Sequence, residues 1–283
     1  MSRLIVNADD FGLTPGVNRA IIELHQAGVL PSTTLMARAA ATSEAIAMAR
    51  ATPTLGVGCH VVLVDGDPVL PGAEIASLID QQTGRFPVSL GVFLTRLFTG
   101  RIRPAEIEAE AAAQIARLQA SGLRLTHIDT HKHTHMFPPV LRPVLCAARA
   151  AGIRAVRNPF EPEWAVRATP RASWMRAAEV FALRRLGPYF RRLIALEKFA
   201  TTDGTIAVVG TGALDSDAVR SLLRELPEGT WELVTHPGYN DADLDRIRTR
   251  LRASREIERQ ALATLKDFPA VDLISFGDLF SPT

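Results

Sequence analysis

The chain has 283 residues, 47% of them hydrophobic and 22% charged, with a formal net charge of +2. That balance predicts an ordinary globular α/β protein with a sizeable core, and it excludes a nucleic-acid binder held by bulk electrostatics. Two cysteines, Cys59 and Cys146, make neither a disulfide framework nor a zinc-ribbon spacing.

In chain order, short β-branched and aliphatic runs alternate with helix-like segments. Strands are expected over residues 4–7, 33–37, 57–63, 125–129, 153–157, 206–209, 232–236 and 272–276. Helices are expected over 15–27, 43–51, 104–121, 139–151, 216–225 and 243–266. Pro15 and Pro104 suit first helical turns, and Gly28, Gly122 and Gly152 suit the stops. Eight strand candidates in such alternation argue for a parallel sheet. The expected fold is a (β/α) barrel, TIM-like and distorted, forming one domain over 1–283. Neither a Gly-x-Gly-x-x-Gly after the first strand nor a Walker-type loop occurs, so no nucleotide is expected. The first strand follows Met1 with no signal-like apolar region, and no apolar run reaches the roughly 18 residues of a membrane span. The expected location is therefore the cytoplasm, peripherally at the inner membrane surface if the basic segment described below binds lipid.

Polar motifs fall at the ends of those strands. Asn7-Ala8-Asp9-Asp10-Phe11-Gly12 closes the first, and His60 lies near the end of the third. His127-Ile128-Asp129-Thr130-His131-Lys132-His133-Thr134-His135 continues the fourth, and Thr235-His236-Pro237-Gly238 closes the seventh. Strand C-termini of barrels and open parallel sheets share one mouth, so four scattered motifs are expected to converge there. In the histidine run every imidazole and the one carboxylate take odd positions. If the segment is extended, all five project to one face, and such groups make the usual shell of a divalent transition metal.

Each motif also has a plainer explanation. Asp9-Asp10 could be a turn leading into the Pro15 helix, and His60 a hydrogen-bonded core residue. The functional alternative divides the labour, with one carboxylate ligating a metal and its neighbour taking a proton from water. A three-ligand catalytic site needs Asp10, His60 and one histidine of the run, leaving the others to orient ligands or touch substrate. His236 could cap a turn, yet its place at the mouth favours an acid–base role. Asn7 and Asp129 are expected to hold ligands in place, and Cys59 to be inert packing.

Between Trp164 and Lys198 lie eight basic and two acidic residues, a net of +6, which leaves about −4 for the rest of the chain. Trp174, Met175, Phe181, Tyr189 and Phe190 interleave with them. This basic aromatic insertion around 160–200 fits a membrane-surface element or a cover for a lipid-bearing substrate. The plainer reading is an insertion packed on the barrel with solvated arginines.

With these residues in view, the sequence resembles the YdjC-like carbohydrate deacetylases. The matching motifs are the Asn7 to Gly12 run, Gly58-Cys59-His60, His127 to His133, and Thr235 to Gly238. Within the family it looks most like members associated with hopanoid biosynthesis. That narrower likeness rests on Val62-Leu63-Val64-Asp65-Gly66, Pro68 to Pro71, Gly84-Arg85-Phe86 and Asn158 to Pro162. The resemblance implies a (β/α) barrel and metal-dependent removal of an acetyl group from an N-acetylated sugar. It implies Asp10, His60 and His131 as metal ligands, Asp9 as general base and His236 as the acid that protonates the leaving amine. Asn7, His127, Asp129, His133 and His135 then support the ligands or face substrate. Lys132, where some relatives carry another histidine, should tune substrate contacts. The implied cofactor is one divalent ion, zinc or magnesium, with manganese and cobalt also admissible.

The implied partners are an N-acetylated sugar or glycolipid and no nucleic acid, with a peripheral membrane contact through 164–198 and a homodimer as further options. The narrower likeness implies an N-acetylglucosaminyl hopanoid as substrate, with chito-oligosaccharides as the alternative. The rival chemistries are a metal-dependent phosphoesterase and a non-catalytic metalloprotein. The second of these has no need of Asp9 beside Asp10.

Overall fold

The structure is a computed structural model that describes residues 2–267 and 271–280. Strand β1 (Ser2–Phe11) is central. Around it run β2 (Ser32–Leu35), β3 (Gly56–Val61), β4 (Ile128–Thr130), β5 (Gly204–Ile206), β6 (Gly229–Thr235) and β7 (Asp272–Leu273). All pairings are parallel, and the path is β4-β3-β2-β1-β6-β5. The helices are α1 (Pro15–Gln26), α2 (Thr42–Ala51), α3 (Leu90–Phe98), α4 (Pro104–Ala120), α5 (Pro138–Ala150), α6 (Glu163–Ala168), α7 (Trp174–Leu183), α8 (Gly187–Leu196), α9 (Ser216–Arg224), α10 (Ala242–Asp245) and α11 (Arg252–Ala263).

The sheet curls. Ile128 bridges Val156, and Ala155 bridges Ala200, four residues before β5. Backbone hydrogen bonds therefore pass from β4 through the 153–157 segment to the chain that becomes β5: Ile128 N–H to Ala155 O at 3.0 Å, Val156 N–H to Ala200 O at 3.0 Å. The result is a parallel α/β sheet in the manner of a distorted TIM barrel. β1 is buried from Leu4 to Phe11, as a strand covered on both faces must be.

Local signals behave as their chemistry dictates. Pro15 opens α1, and the Thr14 side chain accepts from Val17 N–H at 3.2 Å. Such a cap contributes about 1 kcal/mol. Asp215 and Asp241 cap α9 and α10 in the same way.

Three expectations need correcting. The 153–157 run forms bridges, not a ladder. The expected eighth strand shrinks to β7, which pairs only Arg3 and Leu4 of β1. β2 joins β1 from Asn7 onward, and β7 pairs the earlier part of β1 off the main strand path. The helix expected over 243–266 is broken into α10 and α11, and the carbonyls of Asp245 and Ile247 are taken by the Arg252 guanidinium. α3 and the long irregular stretch before it lie where the sequence suggested no element.

Candidate active site at the mouth of the barrel

Two adjacent carboxylates reach the same mouth because β1 is bulged. Its register against β2 shifts between Ala8 and Phe11, and Asp10 takes a left-handed φ of 65°. Successive strand side chains normally alternate faces. A bulge with its residue in the left-handed region re-aims one of them, and Asp tolerates that conformation better than most. Asp9 and Asp10 consequently serve two different clusters.

Asp10 faces two imidazoles. Its Oδ1 lies 3.6 Å from His60 Nε2 and 3.3 Å from His131 Nδ1, and the two ring nitrogens are 3.2 Å apart. The three ligand atoms all lie within 4.8 Å of one another. Asp10 is buried, and among the described residues its Oδ1 has no well-aligned hydrogen bond, only the ion-pair approach of the two imidazoles, while Oδ2 accepts from Arg255 Nη2 at 2.5 Å. An orphaned anionic oxygen between two imidazoles fits a divalent cation. His60 also has the backing expected of a metal ligand: its Nδ1 lies 2.7 Å from Asp129 Oδ1. Burial opposes charge on this ring, but Asp129, Asp9 and Asp10 outweigh it and push its pKa up to about 9.

Asp9 belongs to a cluster centred on Arg157. That guanidinium donates to both Asp9 oxygens (2.9 and 2.6 Å) and to Glu232 Oε1 at 2.7 Å, and it also pairs with Asp129 Oδ2. Asn7 Nδ2 donates to Asp9 Oδ1 at 3.0 Å. Burial alone would raise the Asp9 carboxyl; Arg157 overrides it and holds Asp9 far below the carboxylate range. Glu232 shows the opposite balance, with burial pushing it up to about 8 against the pull of Arg157. Of the three carboxyls Glu232 is therefore the one biased toward its protonated form, while Arg157 biases Asp9 and Asp129 toward the ionised form.

His236 looks across at Asp9, its Nε2 3.8 Å from Oδ2. On the other side Glu258 accepts from the His236 backbone N–H at 2.6 Å and lies 3.7 Å from Nδ1. Burial disfavours the imidazolium, but Glu258 and Asp9 raise its pKa above the usual histidine value.

The histidine run is not the single-faced strand that alternation suggests. β4 ends at Thr130, and His131–Met136 coil into a tight 3₁₀ turn in which Lys132 (φ 56°) and His133 (φ 51°) are left-handed. Of its histidines, only His131 joins the Asp10 trio. His127 lies one strand step below Asp129, stacked on Phe276 with ring centroids 3.8 Å apart, and burial lowers its pKa to about 3. His135 is scaffold: Nδ1 meets Thr130 Oγ1 at 2.8 Å and Nε2 meets Arg157 O at 3.2 Å. His133 is packed beside it, its Nδ1 without a partner among the described residues, and burial lowers it to about 3. Lys132 pairs with Asp65 at 2.8 Å and so ties the loop after β3 to the rim. Cys59 is fully buried, and burial pushes its thiol up, as inert packing requires.

Four residues of the site have no counterpart in the motif reading: Arg157, Glu232, Arg255 and Glu258. One signal was present for the last pair. Arg255, Glu258, Ala261 and Leu262 fall on one face of α11 at helical spacing, which sets two charges among apolar residues on the buried side.

The comparisons agree with this architecture. The model of the YdjC-like protein family matches residues 3–267. A carbohydrate deacetylase of Thermoanaerobacter pseudethanolicus is 27% identical over 93% of this chain and 91% of its own length. One from Listeria monocytogenes serotype 4a is 29% identical over 98% of this chain and all of its own length. A third, from Brevibacillus brevis, is 45% identical, but over only 56% of this chain and 60% of that protein. Among solved structures, one described as a cellobiose-phosphate cleavage protein of Enterococcus faecalis V583 superposes with a TM-score of 0.78 at 26% identity, covering 98% of both chains. The chain belongs to the YdjC-like protein family.

Proposed function

We propose that this protein is a metal-dependent carbohydrate N-deacetylase that removes the acetyl group from an N-acetylated sugar. The observation that carries the reading is the orphaned Asp10 Oδ1 between His60 and His131, with Asp9 and His236 facing each other beside it. The relatives named carbohydrate deacetylases support the sugar class. The narrower reading takes N-acetylglucosaminyl hopanoid as substrate and glucosaminyl hopanoid as product, on the likeness of 62–71 and 158–162 to the hopanoid-associated HpnK; chito-oligosaccharides are the alternative.

Asp10, His60 and His131 would hold one divalent ion, zinc or magnesium, which would supply Lewis acidity toward the acetyl carbonyl. Asp9 is the base. Its ground-state basicity is low because Arg157 grips both oxygens, and it accepts the proton as the attacking water becomes acidic during bond formation. Sharing Arg157 with Asp129 and Glu232 keeps that grip from neutralising Asp9 alone. His236, biased toward its cationic form by Glu258, protonates the sugar nitrogen so that the amine departs and acetate forms. Asn7 and Asp129 fix Asp9 and His60 in orientation.

The test is product mass and acetate release from N-acetylglucosaminyl hopanoid and, in parallel, chitobiose. Activity should vanish with chelator and return with metal. Asp10→Asn should lose metal in equilibrium dialysis, and Asp9→Asn should retain metal while acetate release drops about 10²–10⁴-fold. Full activity in metal-loaded Asp9→Asn would remove the proposed base. Phosphate release from sugar phosphates without acetate release would replace the reading with a phosphoesterase.

A further inference from the structure

Helix α7 is amphipathic with its apolar stripe facing outward. Trp174, Met175, Ala178, Phe181 and Ala182 recur at the i, i+1, i+4, i+7, i+8 spacing of one helical face, and all five are exposed. Trp174 is 78% exposed, Met175 63% and Phe181 61%, whereas an apolar stripe on a surface helix normally faces the core. No residue of α7 is buried, and α7 is held to the body through its other side, where Leu183 packs against the core.

Two further observations say what meets this stripe. First, its surroundings are basic: the 164–198 segment carries +6 on a chain of net +2, and Arg171 before α7 and Arg185 just beyond it are exposed, against one acidic residue on the helix, Glu179. Second, α7 stands on the rim of the barrel mouth. Arg176 Nη1 lies 3.4 Å from Thr211 O, and Arg171 Nη1 lies 3.4 Å from Asp215 Oδ2. Both partners belong to the loop that leaves the C-terminal end of β5, on the side where Asp10 and His60 open.

We infer that α7 is a docking element for an anionic lipid bilayer, with the stripe entering the headgroup–acyl boundary and the flanking arginines meeting lipid phosphates. An exposed apolar face with basic flanks suits that interface. The inference concerns the surface and does not depend on which bond the site cleaves. It goes beyond the proposed reaction by setting where substrate is taken up.

The full chain, incubated with vesicles of phosphatidylcholine alone or mixed with phosphatidylglycerol, tests it by co-sedimentation and tryptophan emission. Trp231 is buried and Trp164 is half-buried edge to face against it, so the exposed Trp174 carries the change in emission, which Trp174→Phe checks. Binding is expected only to phosphatidylglycerol vesicles, weakening with salt and accompanied by a blue shift. Trp174→Ser with Phe181→Ser should weaken it about tenfold or more at unchanged thermal stability, since both side chains are exposed. Trp174→Phe should keep binding and lose the shift. Absence of binding to either vesicle overturns the proposal. So does a solution dimer that the same serine pair dissolves, because the stripe would then be a contact between copies of this chain.

Discussion

Two buried polar clusters share the barrel mouth, and they are built on opposite principles. Around Arg157, Asp9, Asp129 and Glu232 are bound directly to a guanidinium that is itself fully buried. Around Asp10, one carboxylate oxygen is tied to Arg255 and the other, among the described residues, meets only the two imidazoles turned toward it. The first cluster is satisfied by its own guanidinium at every carboxylate. The second has a guanidinium on one Asp10 oxygen only and leaves the other facing two imidazoles. Asp9, His60 and Asp129 also bring ligand atoms within 4.8 Å, but their carboxylates already serve Arg157, so a metal there would compete with a covalently tethered charge. Having several carboxylates therefore does not distinguish a metal site; an unpaired carboxylate oxygen with two imidazole nitrogens turned toward it does.

The largest effect should come from removing the tethered cation. Arg157→Leu leaves Asp9 and Asp129 buried as uncompensated charges, which costs about 3–5 kcal/mol of stability. The denaturant midpoint should fall accordingly. Arg255→Leu should fall less, because it touches one carboxylate rather than three. Equal losses would break the distinction between the clusters.

A smaller effect separates cation-held carboxylates from amide-held ones. Glu161 is buried near the mouth and accepts from Val209 N–H at 2.6 Å; burial pushes its pKa from 4.5 up to about 7 despite these backbone bonds. A carboxyl whose folded pKa exceeds its unfolded value binds more protons when folded. Its contribution is present below pH 4.5 and is lost as pH rises to about 7. The shift corresponds to about 3 kcal/mol. Glu161→Gln should flatten this decline in a stability–pH profile measured from pH 4.5 to 7, and an unchanged slope would assign the decline to other groups.

How legible this was depended on what each residue's position could say. Asp9, Asp10, His60, His131 and His236 could be grouped from sequence because parallel strand ends share a mouth, a topological rule that needs no coordinates. The roles within the group were less legible. Strand alternation in the histidine run stops short of Lys132 and His133, whose left-handed φ values belong to the turn that follows the three-residue β4. Arg157 and Glu232 were hidden because a charged residue in a strand reads as solvated until its burial is known. Arg255 and Glu258 looked like surface charges of a long helix, and the break before α11, closed by Arg252, is a tertiary feature. The basic aromatic 164–198 segment was visible in the sequence at helix-like periodicity; which way its apolar residues face was not.

Asp129 joins the two clusters and gives the comparison its sharpest test. One oxygen accepts from His60 Nδ1 and the other meets Arg157, so the residue fixes the imidazole whose opposite nitrogen faces Asp10. Asp129→Asn keeps the shape but removes the charge, and an amide can present its N–H₂ rather than its oxygen to His60. Loss of such a partner weakens metal binding about 10–100-fold. Stability should change less than in Arg157→Leu, since the guanidinium keeps Asp9 and Glu232 and no carboxylate is stranded. Metal titration by calorimetry, set beside the unfolding midpoint, reads the two clusters separately. A variant that binds metal normally but unfolds early would make Asp129 a member of the arginine cluster alone, and the Asp10 trio would then stand without it.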